Sequence, residues 1–193
     1  MTDAQLIEKY LAGDIAGFNM LVKRWEKPLF NFAYRYVDDF ELAKDITQQV
    51  FIRIYKGLKK MKEHNKFSSW VYTIATNLCK DEVRRIKKKK LDYIDENNEN
   101  YDKFVEEASS RPDAKVNQQQ LQQLIKQALQ IIPEEQRVVI IMKEYQGLKF
   151  IEIAEALGES INTVKSRMYY GLNALKTVFE KRNITREVLQ YEM

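Results

Sequence analysis

The chain has 193 residues, enough for one large or two small domains, with 45% apolar residues to build a core and 31% charged residues to keep its surface wet. No run approaches the roughly 20 apolar residues of a membrane span, the polar start MTDAQLIEKY lacks the layout of a signal peptide, and a single cysteine (Cys79) with a single histidine (His64) excludes an internal disulfide and argues against a protein zinc site. The net charge of +4 is uneven: residues 1–92 hold 19 Lys/Arg against 12 Asp/Glu, residues 93–113 hold 2 against 7, and residues 114–193 hold 11 against 9. Two basic blocks flanking an acidic strip suggest a polyanion partner such as nucleic acid, although a charge run is also what an ordinary solvated face looks like. A cytoplasmic protein with no cofactor and no metal is expected.

Everything readable is helical, and no stretch shows the period of two that marks a strand. A short leading helix is expected over Ala4 to Leu11. Asp14 can cap a second helix whose apolar residues Phe18, Leu21, Val22, Trp25, Leu29, Phe32 and Tyr36 recur at spacings of three and four. Asp38 or Asp39 opens a third, with Leu42, Ile46, Val50, Ile54 and Leu58 inward and Gly57 near its end. Ser68 or Ser69 can cap a fourth, which carries Val71, Ile74, Ala75 and Leu78 and runs on into the basic stretch Arg84 to Lys90. These helices predict a first domain over residues 1–92.

Residues 93–112 lack an apolar period and are rich in Asn, Asp and Glu, so they read as an acidic flexible linker. A second helical domain is expected over residues 113–193. It opens with a stripe of Leu121, Leu124, Ile125, Ala128, Leu129 and Ile132. Pro133 with Glu134 and Glu135 then starts a helix carrying Val138, Ile141, Met142 and Tyr145, which Gly147 can close. The predicted fold is all-α, two small helical domains joined by the acidic linker.

The last elements carry the strongest signal. Ile151, Ile153, Ala154 and Leu157 predict the buried side of a short helix that Gly158 can end in the left-handed conformation. Ser160 is a good N-cap for the next helix, with Ile161, Val164, Met168, Leu172, Leu175 and Phe179 inward. Small Ala154, Gly158 four residues on and Val164 six beyond that have the spacing of a helix-turn-helix. The outward face then holds Asn162, Thr163, Lys165, Ser166, Arg167, Tyr169 and Asn173, whose short polar groups can reach base edges while the cations meet phosphate or guanine. A plain αα-hairpin with a polar outer face is the bland alternative.

In the first domain, Trp70, Thr73, Asn77, Lys80 or Asp81, Arg84 and Lys88 form a polar stripe beside the apolar one. Ahead of it lie Lys59, Lys60, Lys62, Asn65, Lys66 and Phe67, a basic loop with an aromatic edge. Cations that follow a backbone, interleaved with amides and an aromatic ring, suit single-stranded DNA, and Asn65 or Asn77 can hydrogen-bond a base taken out of the stack. Each has a bland reading: Trp70 as core, Asn77 satisfying a backbone group, the lysines as a soluble helix end. Cys79 reads as a small buried hydrophobe.

These segments resemble an extracytoplasmic-function (ECF) sigma factor, from the two-domain branch of the bacterial housekeeping-type sigma family. IPEEQRVVIIMKEYQGLKFIEIAEALGESINTVKSRMYYGLNALK is similar to that family's fourth region, and GDIAGFNMLVKRWEKPLFNFAYRYVDDFELAKDITQQVFIRIYKGL to the start of its second. AKDITQQVF is similar to the family's acidic "AEDLxQExF" stretch, and KFSSWVYTIATNLCKDEVRR to its promoter-melting segment. The resemblance implies a promoter-specificity subunit that works with core RNA polymerase, under an anti-sigma factor. It implies core docking by Asp45, Gln48, Gln49 and Arg53. For the minus-ten strand it implies Lys60, Lys62, Asn65, Lys66, Phe67, Trp70, Asn77, Lys80, Arg84 and Arg85, with a flipped base held by the loop at 61–67. For the minus-thirty-five duplex it implies Ser160, Asn162, Thr163, Lys165, Ser166, Arg167, Tyr169 and Tyr170. Gln49 stands where the family often has glutamate, and Tyr170 where it commonly has a basic residue. The competing classes are a stand-alone helix-turn-helix repressor or activator, and an enzyme. Catalysis is rejected because His64 has no evident partner and there is no phosphate-cradling glycine loop.

Overall fold

The computed structural model of the protein describes residues 1–96 and 118–181, and all its regular elements are helical. Four helices build the first unit: α1 (Asp3–Leu11), α2 (Ile15–Val37), α3 (Phe40–Gly57) and α4 (Phe67–Glu96). Four more build the second: α5 (Gln118–Ile131), α6 (Glu134–Ile140), α7 (Phe150–Leu157) and α8 (Ile161–Lys181). Most of the acidic linker, together with Pro112, Asp113 and the C-terminal residues after 181, lies outside the described residues.

Local chemistry explains where the helices begin. Thr2 and Gln5 close a reciprocal capping box on α1, which starts one residue earlier than the expected Ala4. Asp14 accepts the Ala16 amide at 2.9 Å and starts α2. The adjacent aspartates divide the labour: Asp38 ends α2 in the left-handed region at φ 58°, and Asp39 caps α3 through the Leu42 amide at 2.9 Å. Leu21, Trp25, Leu29, Phe32 and Tyr36 of α2 are buried against Ala43, Ile46, Val50 and Ile54 of α3, as their period requires.

The fourth helix departs from expectation. Neither Ser68 nor Ser69 caps it, because a 3-10 turn at His64–Lys66 feeds directly into α4 at Phe67. Ser69 is instead buried one turn inside the helix, and its hydroxyl donates to Glu155 of α7 at 3.1 Å.

In the second unit, α6 runs on through a π-helical segment, Ile141–Tyr145, before Gly147 turns the chain at φ 67°. The π register shifts the side chains that follow by about 100°, one residue's rotation. Val138, Ile141 and Met142 are buried, whereas Tyr145, carried on the same helix, is exposed, with the Arg35 guanidinium 4.2 Å from its ring centre. Gly158 ends α7 at φ 66°, with the Glu159 amide reaching back to the Ala154 carbonyl at 3.0 Å. Ile153, Ala154 and Ala156 face inward, whereas Ile151, expected on the buried side, is exposed.

Helix α8 buries Val164, Met168, Gly171 and Leu175. Ile161 and Leu172, expected inside, are exposed. The reason is Gly171: a β-carbon there would stand 2.8 Å from the Ile140 side chain, so α6 packs directly on the glycine backbone and the seam passes through a position with no side chain to reveal it.

The two units pack together. The Tyr36 hydroxyl donates to Glu134 at 2.7 Å, the Tyr72 hydroxyl to Gln146 at 2.9 Å, and the Gln130 amide to the Arg35 carbonyl at 3.1 Å. Lys126 donates to the Tyr34 hydroxyl at 2.7 Å and also pairs with Asp38. Arg137, buried, donates to Gln130 and lies over the Tyr36 ring. Burial pushes its guanidinium below its ordinary pKa, against the opposing pull of Tyr36 and Glu134. The Arg137 Nε, the Gln136 Oε1 and the Thr76 hydroxyl are buried without a partner.

Candidate nucleic-acid and polymerase interfaces

Three groups of predicted residues fall on three separate surfaces. On α3, Asp45, Gln48, Gln49 and Arg53 are all exposed. Asp45 and Gln48 line a groove of about 560 Å³ between α2 and α3, with Phe30 and Phe51 at its apolar wall. Gln49 and Arg53 are not among the residues that line it.

The second surface is a cavity of about 660 Å³ at the start of α4, walled by Lys60, Lys62, Lys66, Trp70 and Thr73 and closed on one side by Glu155. Its shape depends on Gly57. A β-carbon there would come within 2.8 Å of the Trp70 ring, so glycine lets the indole approach the end of α3 this closely. Trp70 is half-buried, between the core and the platform readings. Asn65 is exposed beside the cavity without lining it.

Phe67 does not belong to this surface. It is 1% exposed and packs edge-on against Trp25 with ring centres 5.7 Å apart, so it cannot present its face to a base. The first residue of α4 faces the α2 core, and sequence proximity to the lysine loop was misleading. Further along α4, Asn77 and Arg84 are exposed and Lys80 is half-buried. Arg85 is exposed but bound to Glu82, at 2.7 Å through Nε and 2.6 Å through its terminal nitrogen.

The third surface is the outer face of α8, where Asn162, Lys165, Ser166, Tyr169 and Tyr170 are exposed and Thr163 is half-buried. Ser160 accepts the Thr163 amide at 3.0 Å, so its side chain is engaged as the helix cap. Tyr169 and Tyr170 meet edge to face with centres 5.5 Å apart. Arg167 is the exception to the open face: it pairs with Glu135 at 2.9 Å and Glu159 at 3.0 Å, and its side chain is 21% exposed. Sequence inspection missed this clamp, because Glu135 lies on α6 and only the fold brings it to α8.

Cys79 is buried, and burial raises its thiol well above the usual range, so it is an inert core residue. Among the described residues no cluster of His, Cys, Asp and Glu is arranged to hold a metal, and no helix is long and apolar enough to cross a membrane.

Comparison with known proteins matches residues 21–89 to the family "Sigma-70 region 2" and residues 122–175 to "Sigma-70, region 4". The chain is 34% identical over 177 residues to the ECF RNA polymerase sigma factor SigW of Bacillus subtilis, covering 88% of this chain and 92% of that protein. It is 29% identical over 179 residues to the ECF RNA polymerase sigma-E factor of Escherichia coli K12, covering 91% and 93%. Among solved structures it resembles CnrH in complex with the cytosolic domain of CnrY (TM-score 0.68, 19% identity, 93% of this chain and 97% of that one). It also resembles the sigma factor RpoE in complex with the anti-sigma factor NepR from Bartonella quintana (TM-score 0.64, 22% identity, 84% and 96%).

Proposed function

The chain belongs to the ECF branch of the sigma-70 family of RNA polymerase sigma factors, and from that membership we propose a division of labour among its three surfaces. This family consists of non-enzymatic transcription initiation factors. In the proposed reading, the α3 face around Asp45 and Gln48, with Gln49 and Arg53 beside it, docks on core polymerase. The cavity at the start of α4 takes the displaced minus-ten strand, with Lys60, Lys62 and Lys66 attracting its backbone and Trp70 offering a stacking surface. Asn65 lies in the turn just ahead of α4, and Asn77, Lys80, Arg84 and Arg85 continue that track along the helix. The outer face of α8, Ser160 to Tyr170, reads the minus-thirty-five element as duplex. These roles follow a domain division at residues 1–92 and 113–193, with the acidic segment between them spanning the polymerase.

The observation that carries the reading is one chain holding both a cation-walled aromatic cavity and a helix-turn-helix with an exposed polar recognition face. A duplex-binding repressor needs only the second. Regulation by an anti-sigma factor is proposed as well. Its support is the fold shared with sigma factors solved in complex with CnrY and with NepR. The same reading puts the working protein in the cytoplasm, with polymerase.

Run-off transcription with core polymerase on a genomic fragment library tests the whole. Discrete transcripts should appear only when this protein is added. Tight sequence-specific binding to duplex without polymerase, with no effect on run-off products, would favour the repressor.

A further inference from the structure

We propose that Glu155, a residue of the second unit, is an anionic plug in the strand cavity of the first. The resting protein then presents its duplex-reading helix while excluding single-stranded DNA. The inference rests on the reading of that cavity as the minus-ten strand site.

Three lysines reach the cavity wall, and a nucleic-acid strand would bring them phosphates and base carbonyls. In the closed protein a carboxylate takes that place. One Glu155 oxygen accepts the Ser69 hydroxyl at 3.1 Å, and the other lies 3.7 Å from the Lys66 ammonium. Both donors are of the kind a strand would recruit, and Ser69 is buried inside α4 with its hydroxyl turned to Glu155. Glu63 holds Lys66 from its own loop at 2.7 Å, so Glu155 is the second carboxylate beside one cation whose side chain stays 50% exposed. Both carboxylates raise the Lys66 pKa, Glu63 the more strongly, which keeps it charged.

The backbone keeps the plug in place. The Thr73 hydroxyl lies 3.0 Å from the Ala156 carbonyl, so the residue after Glu155 is tied to the same face of α4. Helix α7 is the first helix of the helix-turn-helix, and its docking on α4 leaves the polar face of α8 exposed. Closure therefore acts on one DNA surface and spares the other. Any event that separates α7 from α4 withdraws the Glu155 carboxylate from Lys66 and Ser69 in the same movement.

The test uses the full chain without polymerase and a fluorescein-labelled, mixed-sequence single strand of about twelve nucleotides. Glu155→Gln keeps the shape and the Ser69 contact but removes the charge. It should tighten strand binding about fivefold or more, leave binding to duplex unchanged, and lose its advantage when combined with Lys66→Ala. Equal strand affinity in the wild type and Glu155→Gln, with Lys66→Ala weakening both, overturns the plug and leaves the cavity reading standing. A Glu155→Gln gain that survives in full in the Lys66→Ala background also overturns it, because the charge would then not act through Lys66. Strand binding indifferent to Lys66→Ala in either background overturns the plug and the cavity reading together.

Discussion

Tyr36 and Glu134 join the two units across 98 residues of sequence: the Tyr36 hydroxyl, at the inner end of α2, donates to the Glu134 carboxylate in the first turn of α6 at 2.7 Å. The tyrosine is fully buried, so its hydroxyl has no route to water and depends on that carboxylate. The boundary between the units therefore includes a polar, directional contact beside the apolar core that the two units share.

Replacing Tyr36 by Phe should cost about 1 kcal/mol, the net worth of one hydrogen bond. The loss is held down because Glu134 is half-exposed and can be rehydrated. Urea unfolding measures it, and the same substitution should weaken the coupling between the transitions of the two units.

The closed protein should lose stability in alkali. Burial is the largest cause that raises the Tyr36 pKa, with Glu134 adding to it, and burial alone raises Tyr72. A raised folded pKa means the unfolded chain ionises first. The stabilising effect is complete below about pH 10, the ordinary tyrosine value, and declines above it by about 1.4 kcal/mol per pH unit for each tyrosine. Stability measured from pH 9 upward should fall less steeply in Tyr36→Phe and in Tyr72→Phe.

The register of α8 can be checked with two leucines. Leu175→Ala should destabilise by about 2–5 kcal/mol, because Leu175 is 9% exposed in the seam with the rest of its unit. Leu172→Ala should stay within about 0.5 kcal/mol, as expected for a side chain 47% exposed. Thermal denaturation of both variants decides whether the seam runs through Gly171.

On the recognition face, Lys165 is exposed and Arg167 is held by Glu135 and Glu159. Lys165→Ala should lower the salt slope of upstream-duplex binding by about one counterion. Arg167→Ala should change it less, since the arginine must first leave two carboxylates. Glu159→Ala should tighten duplex binding by freeing Arg167, an effect absent when Arg167 is already alanine.

Asp45→Arg reverses the charge at the α2–α3 groove without touching the core, since Asp45 is exposed. Association with core polymerase should weaken while helical content, read by circular dichroism, is unchanged. Unaltered co-purification with core polymerase removes this groove from the proposed docking surface.

Strand opening is tested on α4, where Asn77 and Arg84 are exposed. Alanine at either position should reduce open-complex formation while polymerase binding persists. A template already mismatched across the minus-ten region should rescue Arg84→Ala more than Asn77→Ala, if the arginine attracts backbone and the amide reads a base. Permanganate reactivity of unpaired thymines gives the readout.

Much of this protein was legible in the chain because helix signals are local. Asp14, Asp39 and Ser160 act on amides two or three residues away, and the Gly158 amide on carbonyls three and four residues back, so caps and turns follow from a short window of sequence. The apolar period of α2 and α3 likewise needs only 3.6 residues per turn. From these came the all-helical fold, the helix-turn-helix and the resemblance that identified the family. Where a period passed through a glycine, as at Gly171, the same reasoning lost the register and put Leu172 inside. The remaining decisions belong to the tertiary structure, because they depend on groups far apart in sequence. Phe67 is core because Trp25 is there to receive it, and Arg167 is clamped because α6 delivers Glu135. Glu155 meets Ser69 only because α7 docks on α4, a juxtaposition across 86 residues that no periodicity or cap encodes.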